Sequence, residues 1–359
     1  MATGESGVMA VLDVREAIRW QHDHAVAGNA PCTARVVLAA LAVLDGGTQV
    51  GRRMLNWPGL VLEDAMPLRF AGALHHLYLS GDAPELGPVY AAEVTGQSEV
   101  DRIVTGLVER FDDRILPWFD GPPQTNEAGR SASLMLGLVW LSGRLGPKFE
   151  VLEIGASAGI NTMMERYFYD LGGVEFGPKD SPMRLKPEWR GPPPPANPVE
   201  IVAIRGCDIA PVDLADPAQA LRLKAYVWAD AKERMARIDA AIGLAGERRP
   251  DLVAADAGEW VEEQLAQPQE AGVTRVLDHS IMWQYLPSAT RVRIIAAMQQ
   301  AGERATRERP LAWISLETNR QTFRHELTVR YWPGGTEPVI LATAHPHGAW
   351  VEAIAFPSS

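Results

Sequence analysis

The chain has 359 residues, 47% of them hydrophobic, and a net charge of −11. That length can bury a large core as two domains or as one elaborated domain. An acidic balance with no basic stripe argues against a partner recognised through a phosphate backbone.

Two cysteines, Cys32 and Cys207, make no metal or disulfide pattern. The first ten residues lack the basic charge and apolar run of a signal peptide, and no apolar stretch reaches the length of a membrane span. The expected setting is a reducing cytoplasm, with neither membrane nor nucleic acid as partner.

Residues 1–147 show almost no strand pattern. Met66 to Leu79 and Ser131 to Leu141 are helical in character, and Val100, Ile103, Val104, Leu107, Val108, Phe111 and Ile115 recur at helical spacing. This stretch is expected to form an α-helical N-terminal region that roofs a cleft. Near its end, Gln124-Thr125-Asn126-Glu127 follows Gly121-Pro122-Pro123. Thr125 or Asn126 suits an N-cap, and Arg130 falls one turn after Asn126. Asn126, Glu127 and Arg130 also suit the ammonium and carboxylate of an amino-acid group, against the plainer reading of a capped helix with a local ion pair.

An apolar run, Phe149 to Ile154, then feeds a loop of small residues, Gly155-Ala156-Ser157-Ala158-Gly159, which opens a helical pattern. A strand that turns into a helix through residues without bulk lets a ligand approach the backbone and meet free N–H groups. Glu153 adds a carboxylate beside the same cleft. Read as an acid, a spacer and a glycine loop, Glu153-x-Gly155-x-Ser157-x-Gly159 matches the S-adenosylmethionine loop of a Rossmann-like methyltransferase, with serine in place of the middle glycine. The dinucleotide spacing G-x-G-x-x-G is not met. The same five residues also spell the nucleophile elbow G-x-S-x-G, with Ser157 as nucleophile and Asp256 or Asp278 and His345 as partners. A hydrolase elbow follows several strands, whereas this loop follows what reads as the first.

Residues 168–198 carry Pro178, Pro182, Pro187 and Pro192 to Pro195, which exclude helix and central strand. They read as an extended excursion over the surface, with Glu188-Trp189-Arg190 available to cover the cleft. Strand-like runs then alternate with helical ones: Val199 to Arg205, Asp251 to Ala255, Val273 to Leu277 and Leu311 to Leu316 as strands, with Pro217 to Leu244, Glu259 to Ala266 and Ser288 to Thr306 as helices. Such alternation implies a parallel sheet with covered faces. Glu326 to Trp332, a Pro333-Gly334-Gly335 turn and Val339 to Ala344 read as a closing hairpin. The fold expected for 148–359 is therefore α/β, a Rossmann-like methyltransferase domain with seven mostly parallel strands whose last strand inserts antiparallel.

Ligands bind at the carboxyl ends of strands in such sheets. There Asp208 would chelate ribose hydroxyls and Asp256 would accept from an adenine amino group; each could instead cap the next helix. Cys207 is expected to be packed, not reactive. His279 and Tyr285 would face the acceptor, and His345 or His279 could serve as a base. His345-Pro346-His347 with His279 falls short of a metal set unless the hairpin folds over the fourth strand, so no metal is expected.

Taken together, QTNEAGRSA (124–132), LEIGASAGIN (152–161), PEWRG (187–191), RGCDIAP (205–211), YVWAD (226–230), HSIMWQYLP (279–287) and AHPHGAWVE (344–352) resemble an uncharacterised bacterial family, the domain of unknown function 2332 family, from about residue 10 to residue 355. The resemblance implies one evolutionary unit with a methyltransferase-like core. The leading expectation is a methyltransferase using S-adenosylmethionine on a small molecule or an exposed protein group. Glu153, Gly155, Ser157, Gly159, Asp208, Asp256, Asn126 and Arg130 would hold the cofactor. A non-catalytic module that binds the same cofactor or a nucleotide is the alternative.

Overall fold

The computed structural model describes residues 13–354. Six helices come first: α1 (Val14–Ala27), α2 (Pro31–Asp45), α3 (Gln49–Leu55), α4 (Met66–Leu79), α5 (Gly87–Tyr90) and α6 (Gln97–Ile115). Helix α7 (Ser131–Leu145) leads into β1 (Lys148–Ile154). Then come β2 (Phe168–Leu171), β3 (Val174–Phe176), β4 (Arg184–Leu185), β5 (Glu188–Arg190) and β6 (Glu200–Asp208). Helices α8 (Pro217–Ala225) and α9 (Lys232–Glu247) precede β7 (Leu252–Ala254), α10 (Ala257–Ala266), β8 (Thr274–Ser280), α11 (Ser288–Arg304) and β9 (Leu311–Thr318). The chain closes with β10 (His325–Trp332), β11 (Gly335–Ala344) and β12 (Trp350–Ala353). Among the described residues no single helix is long and apolar enough to cross a membrane.

Two compact units result. The first takes the chain up to Thr125 together with Pro217–Met235; the second takes Asn126–Asp216 and the chain from Ala236 onward. The first unit is helical around a core that includes Ile18, Val37, Met54, Phe70, Leu74, Val104 and Phe119, joined by Tyr226. Helix α1 starts on a capping box, in which Asp13 accepts from the Glu16 N–H and Glu16 reaches back to the Asp13 N–H. Helix α2 begins at Pro31 with no local cap. Two N–H groups of its first turn are satisfied by a distant residue instead: Asp230 accepts from Cys32 N–H at 2.9 Å and from Thr33 N–H at 2.8 Å. The single helix expected over Pro217–Leu244 is accordingly broken between Ala225 and Lys232. Burial of Tyr226 and the turn that aims Asp230 at α2 use the residues between.

The second unit is built on a sheet in the order β5-β12-β11-β10-β9-β8-β1-β6-β7, nine strands among the described residues where seven were expected. From β9 to β7 every neighbouring pair is parallel. Helix α7 lies on one face, where a Cβ on Gly137 would come within 2.9 Å of the Ile314 side chain. On the other face Leu152, Ile154, Cys207 and Leu277 pack with Trp260 and Val261 of α10 and Ile294 and Met298 of α11. Buried parallel strands covered on both sides need apolar residues at successive positions, which Val151-Leu152 and Val276-Leu277 provide.

The tail departs from the expected insertion of a last strand. Strand β10 pairs antiparallel with β9, and β11 and then β12 add outward. The proline-rich stretch is not purely irregular either. It forms a three-stranded sheet, β3-β2-β4, and supplies β5, which pairs parallel with β12 at the edge of the main sheet. An edge position suits it, because Pro187 and Pro192, just outside its two ends, cannot donate to a central ladder.

Candidate functional site at the carboxyl ends of the parallel strands

Numbered along the chain, the five parallel strands lie in the order third, second, first, fourth, fifth. The chain runs outward from β1 through β6 to β7, then crosses to the opposite side of β1 at β8. The crevice at the carboxyl ends of β1 and β8 is therefore the topological switch point, where open α/β sheets bind ligands. The glycine loop stands there.

Three residues of that loop, Gly155, Ser157 and Gly159, have φ of 65°, 54° and 68°. The chain after β8 faces it with Ile281 at φ 51°. A β-branched residue in the left-handed region is strained and persists only where its surroundings hold it; Ile281 N–H is held by the Leu316 carbonyl at 2.8 Å. Met282 follows. A Cβ on Gly155 would lie 2.6 Å from its side-chain methyl, so glycine is required for the two connections to meet.

The loop does not open a helix of normal length but a 3-10 segment, Asn161–Arg166, that runs into β2. Its N–H groups, expected to be free for a ligand, are engaged. Ala156 donates to the Cys207 carbonyl and Gly159 to the Ala156 carbonyl. Ser157 donates to Asp208 at 2.8 Å, and Asn126 Oδ1 accepts from Ala158 at 3.2 Å and Ile160 at 2.8 Å. Asn126 is thus a clamp on the loop, not the cap of α7. Asp208 also accepts from Ala210 N–H at 2.9 Å. Asp256 caps α10, accepting from Gly258 and Glu259 N–H. Both aspartates stand at strand ends, each with main-chain work to do.

Strand alternation sorts the remaining groups. Glu153 is the register partner of Asp278 on the adjacent parallel strand, so both carboxyls point to the α7 face. Each is 2% exposed. Glu153 Oε1 accepts from Asn161 Nδ2 at 3.2 Å, and Asn161 in turn accepts from the Ser131 hydroxyl at 2.7 Å. Glu153 Oε2 and Asp278 Oδ1 are buried without a hydrogen-bond partner among the described residues, as is Ser157 Oγ. Burial pushes Asp278 up to about 8. Burial, and then the Asp278 charge, lift Glu153 well above the usual carboxylate range. Cys207, also buried, is pushed up to about 12 and stays a thiol.

His279, one residue on, points to the opposite face. Its Nδ1 lies 2.7 Å from Glu317 Oε1, and its ring stacks on Trp283 with centroids 5.0 Å apart, against the edge of Trp313. Glu317 also accepts from the N–H groups of Met282 and Trp283. Burial raises the Glu317 carboxyl, but these bonds, led by the one to His279, outweigh it and hold it below the ordinary value. Because β8 runs to Ser280, Asp278 and His279 belong to the strand itself. Tyr285, 76% exposed, is at the rim.

Arg130 donates to the carbonyls of Pro346 at 2.9 Å and Ser280 at 3.1 Å, tying the β11–β12 turn to the end of β8. Glu127 pairs with Arg237 at 3.2 Å, whose guanidinium also reaches the His347 carbonyl. His345 Nδ1 accepts from His347 N–H at 3.1 Å. The two histidines meet edge to face and His279 is joined to Glu317, so the three do not converge. Among the described residues no three His, Cys, Asp or Glu side chains are grouped to hold a metal ion. The carboxyl pairing of Glu153 with Asp278, and the roles of Glu317, Asn161 and Arg237, were not foreseen. A purely local pattern shows no strand register, although an acid at the same late position in two buried strands was a readable hint.

Residues 15–353 match the family model described as an uncharacterized protein conserved in bacteria (DUF2332), and the chain belongs to that family. No curated protein and no solved structure matches it.

Proposed function

We propose that this protein is an S-adenosylmethionine-dependent methyltransferase acting on a small molecule or an exposed protein group. The observation that carries the reading is the glycine loop at the switch point between β1 and β8, rimmed by carboxylates. Anion-binding loops offer unpaired N–H groups to a phosphate. Here those groups are already bonded within the protein, and the nearby acids are Glu153, Asp208, Asp256 and Asp278. Such a crevice disfavours a pyrophosphate and favours a cationic adenosyl ligand.

The cofactor would supply a methyl group on a sulfonium, whose transfer depends mainly on alignment. It would stand against the loop whose turns Gly155 and Gly159 make at φ 65° and 68°. Asp208 and Asp256 each accept main-chain N–H groups, yet a carboxylate oxygen has two lone pairs, so both can still accept from a ribose or an adenine. Tyr285 offers an exposed ring on the acceptor side.

A serine hydrolase draws on Ser157 φ 54° within G-x-S-x-G. Against it, the Ser157 hydroxyl has no imidazole bonded to it among the described residues. Titration calorimetry with S-adenosylmethionine, S-adenosylhomocysteine and NAD tests the proposal. Micromolar binding of the two adenosyl ligands without NAD is the expected result; failure of both to bind overturns it.

A further inference from the structure

Two of the residues expected to hold an amino-acid ammonium and carboxylate are engaged within the protein: Asn126 clamps the loop and Arg130 holds two carbonyls. Among the described residues, buried acceptors that lack donors lie elsewhere, at Glu153 Oε2 and Asp278 Oδ1. These two side chains are register neighbours at the switch point, 2% exposed, directly beneath the loop. A buried acceptor without a donor costs free energy unless a ligand completes it. We propose that Glu153 and Asp278 together form the receptor for a primary ammonium group, and that binding the cation expels a proton from the pair into solvent.

Two carboxyls on adjacent strands in a dry site cannot both ionise. Burial keeps a proton on the pair near neutral pH. A primary ammonium brings three N–H donors and a positive charge, which match acceptor oxygens and compensate a second negative charge. The carboxyl O–H breaks, its proton leaves to water, and no bond to the ligand is made or broken. The groups facing the pair agree with this. Arg130 favours the ionised form of Glu153, whereas Asp208 on β6 opposes it. Tyr167 and Cys207 are neutral, and Asn161 donates to Glu153 but carries no charge. The ammonium could belong to the amino-acid end of the cofactor, in which case the inference rests on the proposed function, or to an amine acceptor.

Calorimetry of S-adenosylhomocysteine at pH 7 in buffers of different ionisation enthalpy separates these cases. With the cofactor as source, about one proton is released per ligand, as linkage requires. Release is then absent with 5′-methylthioadenosine, which lacks the ammonium, and absent in Asp278→Asn or Glu153→Gln. With an acceptor as source, release appears only when n-propylamine is added to the complex. Binding of S-adenosylhomocysteine with no proton release in either arm overturns the receptor while leaving the methyltransferase reading intact. If no adenosyl ligand binds, n-propylamine on the free protein decides: release supports the receptor, and silence overturns it. Should both variants fail to fold, the wild-type infrared band of a protonated carboxyl at pH 7 provides the check. It is expected to disappear on amine or cofactor binding, and its persistence counts against the proposal.

Discussion

The carboxylate of Asp208 accepts a 2.8 Å hydrogen bond from the main-chain N–H of Ser157, so the end of β6 sets the conformation of the loop that follows β1. A second oxygen takes Ala210 N–H at 2.9 Å. Asp208→Ala strips both donors of their partner and should destabilise the second unit by about 1–3 kcal/mol. Loss of adenosyl binding should accompany it. Chemical denaturation read beside calorimetry checks both effects; an unchanged midpoint would mean that water replaces the carboxylate.

Gly155 and Met282 give a second test. At φ 65° an alanine is strained by about 1–2 kcal/mol, and its Cβ would press on the Met282 methyl at 2.6 Å. Gly155→Ala should therefore be destabilising, and adding Met282→Ala should recover the steric part but not the conformational part. A double-mutant cycle in urea measures the split.

The acid pair makes stability depend on pH in an unusual direction. Burial pushes the Asp278 carboxyl up from 3.8 to about 8 in the folded protein. Between those values the folded state holds more protons than the unfolded one, so stability falls as pH rises through that window. Asp278→Asn should flatten this slope and melt higher than wild type at pH 8. Thermal melts from pH 5 to pH 8 provide the measurement, and parallel slopes would mean that the pair is ionised when folded.

In the first unit the slope has the opposite sign. Burial drives His75 down to about 4 from 6.5, while its Nδ1 sits 3.1 Å from the Ala225 carbonyl. The unfolded chain takes up the proton first on acidification, so stability is lost as pH falls from about 6.5 to about 4, by up to about 3 kcal/mol. His75→Gln should lose less over the same range, as followed by circular dichroism.

Much of this architecture was legible in the chain. Met66–Leu79 reads as a helix because its apolar residues recur at helical spacing, and it is one. The run into Ile154 and the small residues after it read as a strand and a tight turn, and the left-handed φ of Gly155 and Gly159 explain why glycine stands there. Asp256 reads as an adenine ligand, with a cap as the plainer alternative; its bonds to Gly258 and Glu259 N–H show the cap, which needs only neighbours in sequence.

What the sequence by itself determined is therefore local: periodicity, turn chemistry, and the acids at strand ends. Tertiary structure decided what depends on register and on long-range partners. Pairing Glu153 opposite Asp278 buries two carboxyls side by side, while His279, a single residue later, is turned through the pleat to the other face and to Glu317. Asp230 satisfies α2 from about 200 residues away, because a helix starting at Pro31 has no cap of its own. The outward order of β10, β11 and β12 was equally invisible, since a hairpin in sequence fits either side of its partner until the sheet decides which edge is free.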